Sequence, residues 1–167
     1  MYDLFFMWIF QMQLTMLRYQ DAIVKSQEIP NEVSLVIYIS GCPFRCKGCK
    51  TPKLQENQGE ELTKEVVNMF LDSLGDDITC IIFMGGDIAP DEVNELAGHV
   101  RKYYPYLKIG WYSGDETITV FTEYQNFDYL KFGPYIKKLG DLKSPKTNQR
   151  LYRVEGEYLR DITKSLR

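Results

Sequence analysis

Val33-Ser-Leu-Val-Ile-Tyr-Ile-Ser40 is a β-branched and apolar run that passes directly into the loop Gly41-Cys-Pro-Phe-Arg-Cys-Lys-Gly-Cys49. A continuous apolar run of this length predicts a strand buried on both faces. Strands of that kind are typical of parallel sheets, in which helices cover the faces. The stretch therefore predicts an α/β protein that carries a cysteine-containing loop at a strand end.

Strand and helix patterns alternate along the rest of the chain. Further strands are predicted over residues 78–84, 107–112, 129–132 and 149–154. Helices are predicted over residues 63–74, 90–104, 116–124 and 158–166. Strands that alternate with helices form parallel βαβ units with right-handed crossovers. We expect one α/β domain with a mainly parallel sheet.

Length and composition indicate a folded protein whose cysteines have a chemical role. The chain has 167 residues, of which 44% are hydrophobic and 26% are charged, with a net charge of −3. This charge argues against a nucleic-acid binder, whose domain is usually basic. A chain of this size needs neither a disulfide nor a metal merely to fold. The four cysteines are therefore expected to serve chemistry.

The amino-terminal residues 1–15 form an apolar segment that Asp3 interrupts. The segment is shorter than the ~20 apolar residues of a spanning helix, and it lacks the basic leader and cleavage site of a secretory signal. We expect residues 1–15 to be an extension from an upstream start, and residues 16–167 to be the domain. A cytoplasmic protein without membrane contact is expected.

Charge is spread unevenly along the chain. Residues 131–167 contain ten Lys and Arg against four Asp and Glu. A basic end on an acidic body fits an ordinary solvated face, and it also fits a surface that docks a partner or binds an anion. The sequence leaves these alternatives open.

Cys42, Cys46 and Cys49 follow a C-x3-C-x2-C spacing. The loop has three cysteines, and an odd number in a chain expected to be cytosolic argues against disulfides. Structural zinc is also disfavoured, because it usually has four ligands. Cys80 lies in the middle of an apolar strand and is expected to be a small buried hydrophobe, while His99 on a helix is expected to be structural. Three thiolates without a fourth ligand suit an iron–sulfur cube in which one iron stays open.

Several unusual residues follow predicted strands. Cys42, Gly85, Ser113 and Gly133 each come just after one. The carboxyl ends of parallel strands meet at one edge of a sheet, where ligands bind. We expect these segments to share one site.

The cysteine loop resembles the cluster-binding motif of the radical S-adenosylmethionine superfamily, and Gly85-Gly86-Asp87 resembles its glycine-glycine-acid motif. The resemblance implies a partial, incomplete β/α barrel. It implies that Cys42, Cys46 and Cys49 hold three irons of a [4Fe–4S] cluster, and that S-adenosylmethionine chelates the fourth. The cofactor-binding residues that it implies are Gly48, Lys50, Gly85, Gly86, Asp87, Ser113 and Lys131.

Within this superfamily the chain resembles the small activating enzymes of anaerobic ribonucleoside-triphosphate reductase. Gly48 stands where other members often carry an aromatic residue, and Lys50 stands where these activases often have histidine. The other similar stretches are residues 40–43, 111–114, 128–135 and 148–150. The resemblance implies formation of a glycyl radical on the large reductase subunit, with electrons from a low-potential flavodoxin or ferredoxin.

Two other functions remain open from the sequence. The chain could be another compact member of the superfamily, either activating a different glycyl-radical enzyme or modifying a purine, as 7-carboxy-7-deazaguanine synthase does. It could also be a non-enzymatic metal or electron-transfer module. The last function leaves Gly85-Gly86-Asp87 without a role.

Overall fold

The computed structural model describes residues 16–116 and 124–166. Within them, one sheet of eight strands carries two α-helices. The strands are β1 (Arg18–Lys25), β2 (Ser34–Ile39), β3 (Glu60–Glu61), β4 (Cys80–Met84), β5 (Lys108–Tyr112), β6 (Tyr129–Phe132), β7 (Arg150–Glu155) and β8 (Tyr158–Asp161). The helices are α1 (Lys64–Leu74) and α2 (Pro90–Tyr103), and short 3-10 turns lie at Pro52–Gln55, Gly75–Asp77, Tyr124–Asn126 and Thr163–Leu166.

The sheet is parallel only in its centre. Its strand order is β3-β1-β2-β4-β5-β6-β7-β8. The pairs β2–β4, β4–β5 and β5–β6 are parallel, whereas the four outer pairs are antiparallel. The mainly parallel sheet that was expected is thus confined to four strands, because the outer strands pair antiparallel and such pairs need no crossover helix. The partial barrel stays a prediction.

Two sequence predictions fall outside the described residues, and a third is contradicted by the structure. The extension over residues 1–15 lies outside the described residues, as does most of the helix predicted over 116–124. The closing helix predicted over 158–166 is wrong: β8 pairs with β7 through a tight turn, and a 3-10 turn follows. Gly156 enables this turn with a φ of 64°, a conformation that glycine adopts readily.

The two faces of the sheet differ in what covers them. Successive strand residues point to opposite faces, so Ile37, Phe83 and Ile109 pack with the apolar sides of α1 and α2 in the main core. The opposite face carries a smaller buried cluster of Ile29, Val36, Cys80, Ile82, Tyr112, Tyr129 and Leu151. Part of this second face stays open and forms the site described below.

The helices begin and end as their sequences direct. The Thr63 hydroxyl caps α1 by accepting from the Val66 N–H at 3.3 Å, and Gly75 follows its last residue. Pro90 lies in the first turn of α2, where its missing N–H costs no helix hydrogen bond. None of the helices in the described ranges combines the length and apolar character that a bilayer crossing would require.

Candidate metal and cofactor site

A cavity of about 790 Å³ lies where the loops after β2, β4 and β5 meet. It continues along the sheet face opposite the helices, as far as residues 24–28. The predicted site residues that line it are Cys42, Cys46, Cys49, Lys50, Gly85, Asp87, Ser113 and Lys131. Of the four residues expected just after strands, Cys42, Gly85 and Ser113 line this cavity, whereas Gly133 does not.

One row of the sheet forms the wall of this cavity. Tyr38, Met84, Tyr112 and Lys131 are register partners across the four parallel strands, and all four line the cavity. Of these four, only Lys131 is among the cofactor-binding residues that the resemblance implies. The period-2 alternation of the strands could have identified the other three, since Met84 and Tyr112 end their strands, Tyr38 comes one residue before the end of β2, and all three lie on the face away from the helices.

The cysteine loop is held by backbone hydrogen bonds to a returning segment of chain. The N–H groups of Gly41 and Cys42 donate to the carbonyls of Glu56 and Leu54, at 3.3 and 2.8 Å. The Cys49 N–H donates to the Cys46 carbonyl at 3.1 Å. Arg45 has a φ of 45°, which is uncommon outside glycine and is often found at functional sites. These contacts give the loop a defined backbone shape, from which all three cysteines line the cavity.

These three thiols suit an iron–sulfur cluster. Cys42, Cys46 and Cys49 are unpaired and half-buried, and the Thr51 N–H donates to the Cys49 sulfur at 3.4 Å. The described residues contain no group of three His, Cys, Asp or Glu side chains placed to bind a single metal ion. In a cube each thiolate binds a different iron, so the three sulfurs need not converge on one point. Burial raises the pKa of Cys42, and a hydrogen bond from the Phe44 backbone opposes this.

Cys80 and His99 lie away from this loop. Cys80 is fully buried on β4, and burial raises its thiol pKa far above the ordinary value. It lies four residues before Met84, about 13 Å at the ~3.3 Å rise of a strand. His99 bonds through Nε2 to the Asn68 side chain at 2.8 Å, across the two helices. Both residues are structural, as the sequence predicted.

The Gly85-Gly86-Asp87 turn depends on both glycines. Their φ angles are 94° and 87°. The Gly85 N–H donates to the Tyr112 carbonyl at 2.9 Å, and the Trp111 indole N–H donates to the Gly85 carbonyl at 2.8 Å. A Cβ on Gly86 would lie 2.4 Å from Cγ2 of Val93. Gly86 was expected to bind the cofactor, but it does not line the cavity. It instead lets the turn pack against α2.

We expect Gly86→Ala to destabilise the protein by about 2 kcal/mol, through the left-handed backbone and the overpacking against Val93. Thermal unfolding followed by circular dichroism measures the change. Gly75→Ala is the matched control, because Gly75 also has a positive φ of 51° but has no atom within 4 Å of a built Cβ. An equal loss in the two variants would contradict the packing role of Gly86.

Asp87 is anchored at the cavity wall. Its carboxylate accepts from the Ser113 hydroxyl, in a short hydrogen bond, and from the Gly114 N–H at 3.2 Å. Burial raises the pKa of Asp87, while the hydrogen bonds from Ser113 and Gly114 and the charge of Lys131 oppose the rise. The resulting arrangement holds a carboxylate at the end of β4 with its acceptor oxygens fixed.

Lys131 is a buried cation, only 9% exposed. Its ammonium donates to the carbonyls of Ser113 at 3.1 Å and of Gly133 at 2.8 Å. Burial lowers its pKa to about 8, and the negative charges of Asp87 and the three cysteines counteract this. Gln149, which the sequence analysis noted only within a similar stretch, also lines the cavity and donates to the Gly133 carbonyl at 3.1 Å.

Lys50 and Gly48 both contact the segment that follows β6. The Lys50 ammonium forms an ion pair with Asp141 and lies 6.0 Å from the centre of the Tyr135 ring. Gly48 has a φ of 76°, and a Cβ built on it would lie 3.1 Å from Cδ of Lys137. Gly48 does not line the cavity. These contacts bring the cysteine loop against the segment of residues 135–146.

The sequence matches the model of a known protein family. The family model described as a 4Fe-4S single cluster domain matches residues 32–154, which is most of the chain. No curated protein and no solved structure matches the sequence. The matched range contains the cysteine loop and the segments that close the cavity. The chain therefore belongs to the family of 4Fe-4S single cluster domains.

Proposed function

We propose that this iron–sulfur protein is a radical S-adenosylmethionine enzyme that forms a glycyl radical on the large subunit of an anaerobic ribonucleoside-triphosphate reductase. The observation that carries the proposal is the shared cavity. Three thiols from the loop after β2 line the same space as Asp87 after β4 and Lys131 on β6. A module that only transfers electrons needs no such pair of opposite charges beside its cluster.

The cluster and S-adenosylmethionine would together supply reductive cleavage of the sulfonium to methionine and a 5′-deoxyadenosyl radical, which takes a hydrogen atom from a glycine of the partner. Cys42, Cys46 and Cys49 would hold three irons and leave the fourth for the amino and carboxylate groups of the cofactor. The protein's own contribution is binding, orientation and exclusion of water. A low-potential flavodoxin or ferredoxin in the cytoplasm would be the electron source.

Asp87 and Lys131 suit the two charged groups of an amino acid. A carboxylate accepts several hydrogen bonds, so Asp87 can accept from the cofactor's amino group in addition to Ser113 and Gly114. An ammonium has three donors, of which Lys131 gives two to backbone carbonyls within the described residues. The third donor is available for a carboxylate. A bound carboxylate would also offset the burial of the lysine.

The open sheet face suits the rest of the cofactor. Tyr38, Met84 and Tyr112 provide aromatic and thioether surface along one row of the cavity wall. The Tyr112 hydroxyl donates to the Glu28 carbonyl at 2.6 Å, which leaves its ring as an apolar surface. Ligand pockets are typically apolar with a few placed polar groups, and this cavity follows that pattern.

A second candidate is another compact member of the superfamily, acting on a different glycyl-radical enzyme or on a purine. The cavity of about 790 Å³ falls within the ~300–1,000 Å³ of small-molecule sites. Its size therefore favours this candidate when the substrate is a small molecule. Cofactor cleavage is common to both candidates. Only the acceptor of the radical distinguishes them.

Anaerobic mixing of the reconstituted protein, S-adenosylmethionine, a reductant and the reductase tests the proposal. We expect an electron paramagnetic resonance signal of a glycyl radical, together with 5′-deoxyadenosine in the products. Cofactor cleavage without a glycyl radical would support the second candidate. No cleavage by protein that holds its full cluster would overturn both and leave the electron-transfer module.

A further inference from the structure

The loop that carries the cysteines is strongly basic. Residues 41–55 contain four cations and no acidic residue. These cations are Arg45, Lys47, Lys50 and Lys53, and all of them are exposed. The chain as a whole has a net charge of −3, so this local charge runs against the composition of the protein.

A second basic segment lies beside the first. Residues 135–146 contain Lys137, Lys138, Lys143 and Lys146, all exposed, against the single acid Asp141. The Lys137 side chain packs at Gly48, and Lys50 pairs with Asp141. The two segments therefore form one surface around the cysteines. We call these eight cations the basic rim.

Apolar side chains are exposed within the basic rim. Phe44 is 37% exposed and Ile136 is 41% exposed, and each lies in one of the two basic segments. The Phe44 ring also packs against Gly114, since a Cβ built on that glycine would lie 2.6 Å from the ring. An apolar centre with a charged surround is the usual anatomy of a protein interface.

The chemistry of the site indicates what this interface receives. A cluster held by Cys42, Cys46 and Cys49 can change oxidation state only if an electron arrives from outside, and these half-buried cysteines lie within the basic rim. We infer that the basic rim docks a small acidic one-electron carrier protein. One electron leaves the reduced carrier and enters the oxidised cluster, and no covalent bond forms or breaks.

This inference rests on the cluster alone and not on the proposed reaction with S-adenosylmethionine. Complementary charge mainly accelerates encounter, by about 10- to 1,000-fold at low salt. Redox complexes are typically small and transient, so orientation by charge suits them. The rim cations are therefore expected to set the rate of electron delivery more than the final affinity.

The test compares two triple variants with equal loss of charge. The rim variant is Lys47→Gln, Lys53→Gln and Lys138→Gln. The control is Lys64→Gln, Lys102→Gln and Lys108→Gln, whose lysines lie on α1, α2 and β5 outside the rim. Stopped-flow absorbance follows cluster reduction by reduced flavodoxin, an acidic carrier, and by the methyl viologen radical, a small cation. Calorimetry of oxidised flavodoxin with each protein gives binding without turnover.

We expect the rim variant to be reduced by flavodoxin about 10-fold more slowly at low salt, and to bind it more weakly, with the difference closing at high salt. Methyl viologen, which is itself a cation, should reduce the rim variant no more slowly than the unmodified protein. Equal flavodoxin rates in rim and control variants would overturn the inference, as would equal slowing by both reductants. The rim variant could instead be reduced by flavodoxin at the normal rate but transfer the radical more slowly to the reductase from a pre-reduced cluster. That result would assign the rim to the reductase and would also overturn the inference.

Discussion

Replacement of Cys42, Cys46 or Cys49 by alanine is expected to abolish the [4Fe–4S] cluster. Each thiolate binds a separate iron, and the described residues offer no fourth cysteine near the cavity. Iron and sulfide analysis after anaerobic reconstitution, with the visible absorption of the cluster, measures the loss. The unmodified protein should bind about four irons, with a spectrum that changes when S-adenosylmethionine is added.

Cys80→Ala is the matched control for this series. The Cys80 thiol is fully buried among apolar side chains on β4, so the variant should keep the full iron content while losing some stability. Retention of four irons by any single variant of the loop would contradict the three-ligand model. Loss of the cluster in Cys80→Ala, with the fold intact by circular dichroism, would contradict it as well.

Replacement of Asp87 by alanine is expected to weaken S-adenosylmethionine binding by roughly 10- to 100-fold. The expected effect follows from losing a charge-assisted hydrogen bond in a partly buried site, on the order of 1.5–3 kcal/mol. Asp87 is bonded to Ser113 and Gly114 and not to the cysteine loop, so the iron content should not change. Equilibrium binding to the reconstituted protein measures the affinity.

Asp87→Asn separates charge from shape in this experiment, because the amide oxygen can still accept a hydrogen bond. We expect it to weaken binding nearly as much as alanine, since it removes the negative charge that strengthens the hydrogen bond from the cofactor's amino group. Asp91→Ala, on the exposed first turn of α2, should leave the affinity unchanged. An Asp87→Ala protein that loses its iron would show that Asp87 supports the cluster loop instead of the cofactor.

The centre of the fold was predictable because its signals are strong and local. The buried strands β2, β4, β5 and β6 are apolar runs, and β6 has the predicted bounds. The outer strand β1, which lies between β3 and β2, was missed because its sequence, Arg18–Lys25, mixes polar and apolar residues and its burial follows no simple period. Such a strand forms only because β2 offers it a partner, which no local pattern reveals.

The closing strand β8 was predicted as a helix for a related reason. Leu159 and Ile162 are spaced as on one side of a helix, and both are partly buried. The turn at Gly156 brings Tyr158 beside Glu155, and pairing with β7 then outweighs helix propensity. Tertiary context decided this element.

The site was predictable where motif and strand end coincide. The three cysteines, Asp87 and Lys131 all line the cavity. Gly86 and Gly48 do not, because each serves the backbone of its own turn and packs against a neighbouring segment. The ion pair of Lys50 with Asp141 joins residues 91 positions apart, and spacing in the sequence gives no sign of such a contact.

The hairpin of β1 and β2 affects the order in which the parts of the site are completed during synthesis. The backbone contacts that shape the cysteine loop join residues 18–61, whereas Asp87 bonds to Ser113 and the Lys131 ammonium bonds to the Ser113 carbonyl. The amino-terminal part of a chain is synthesised first. Every partner in the backbone contacts of the loop is therefore made before the residues that complete the cavity wall.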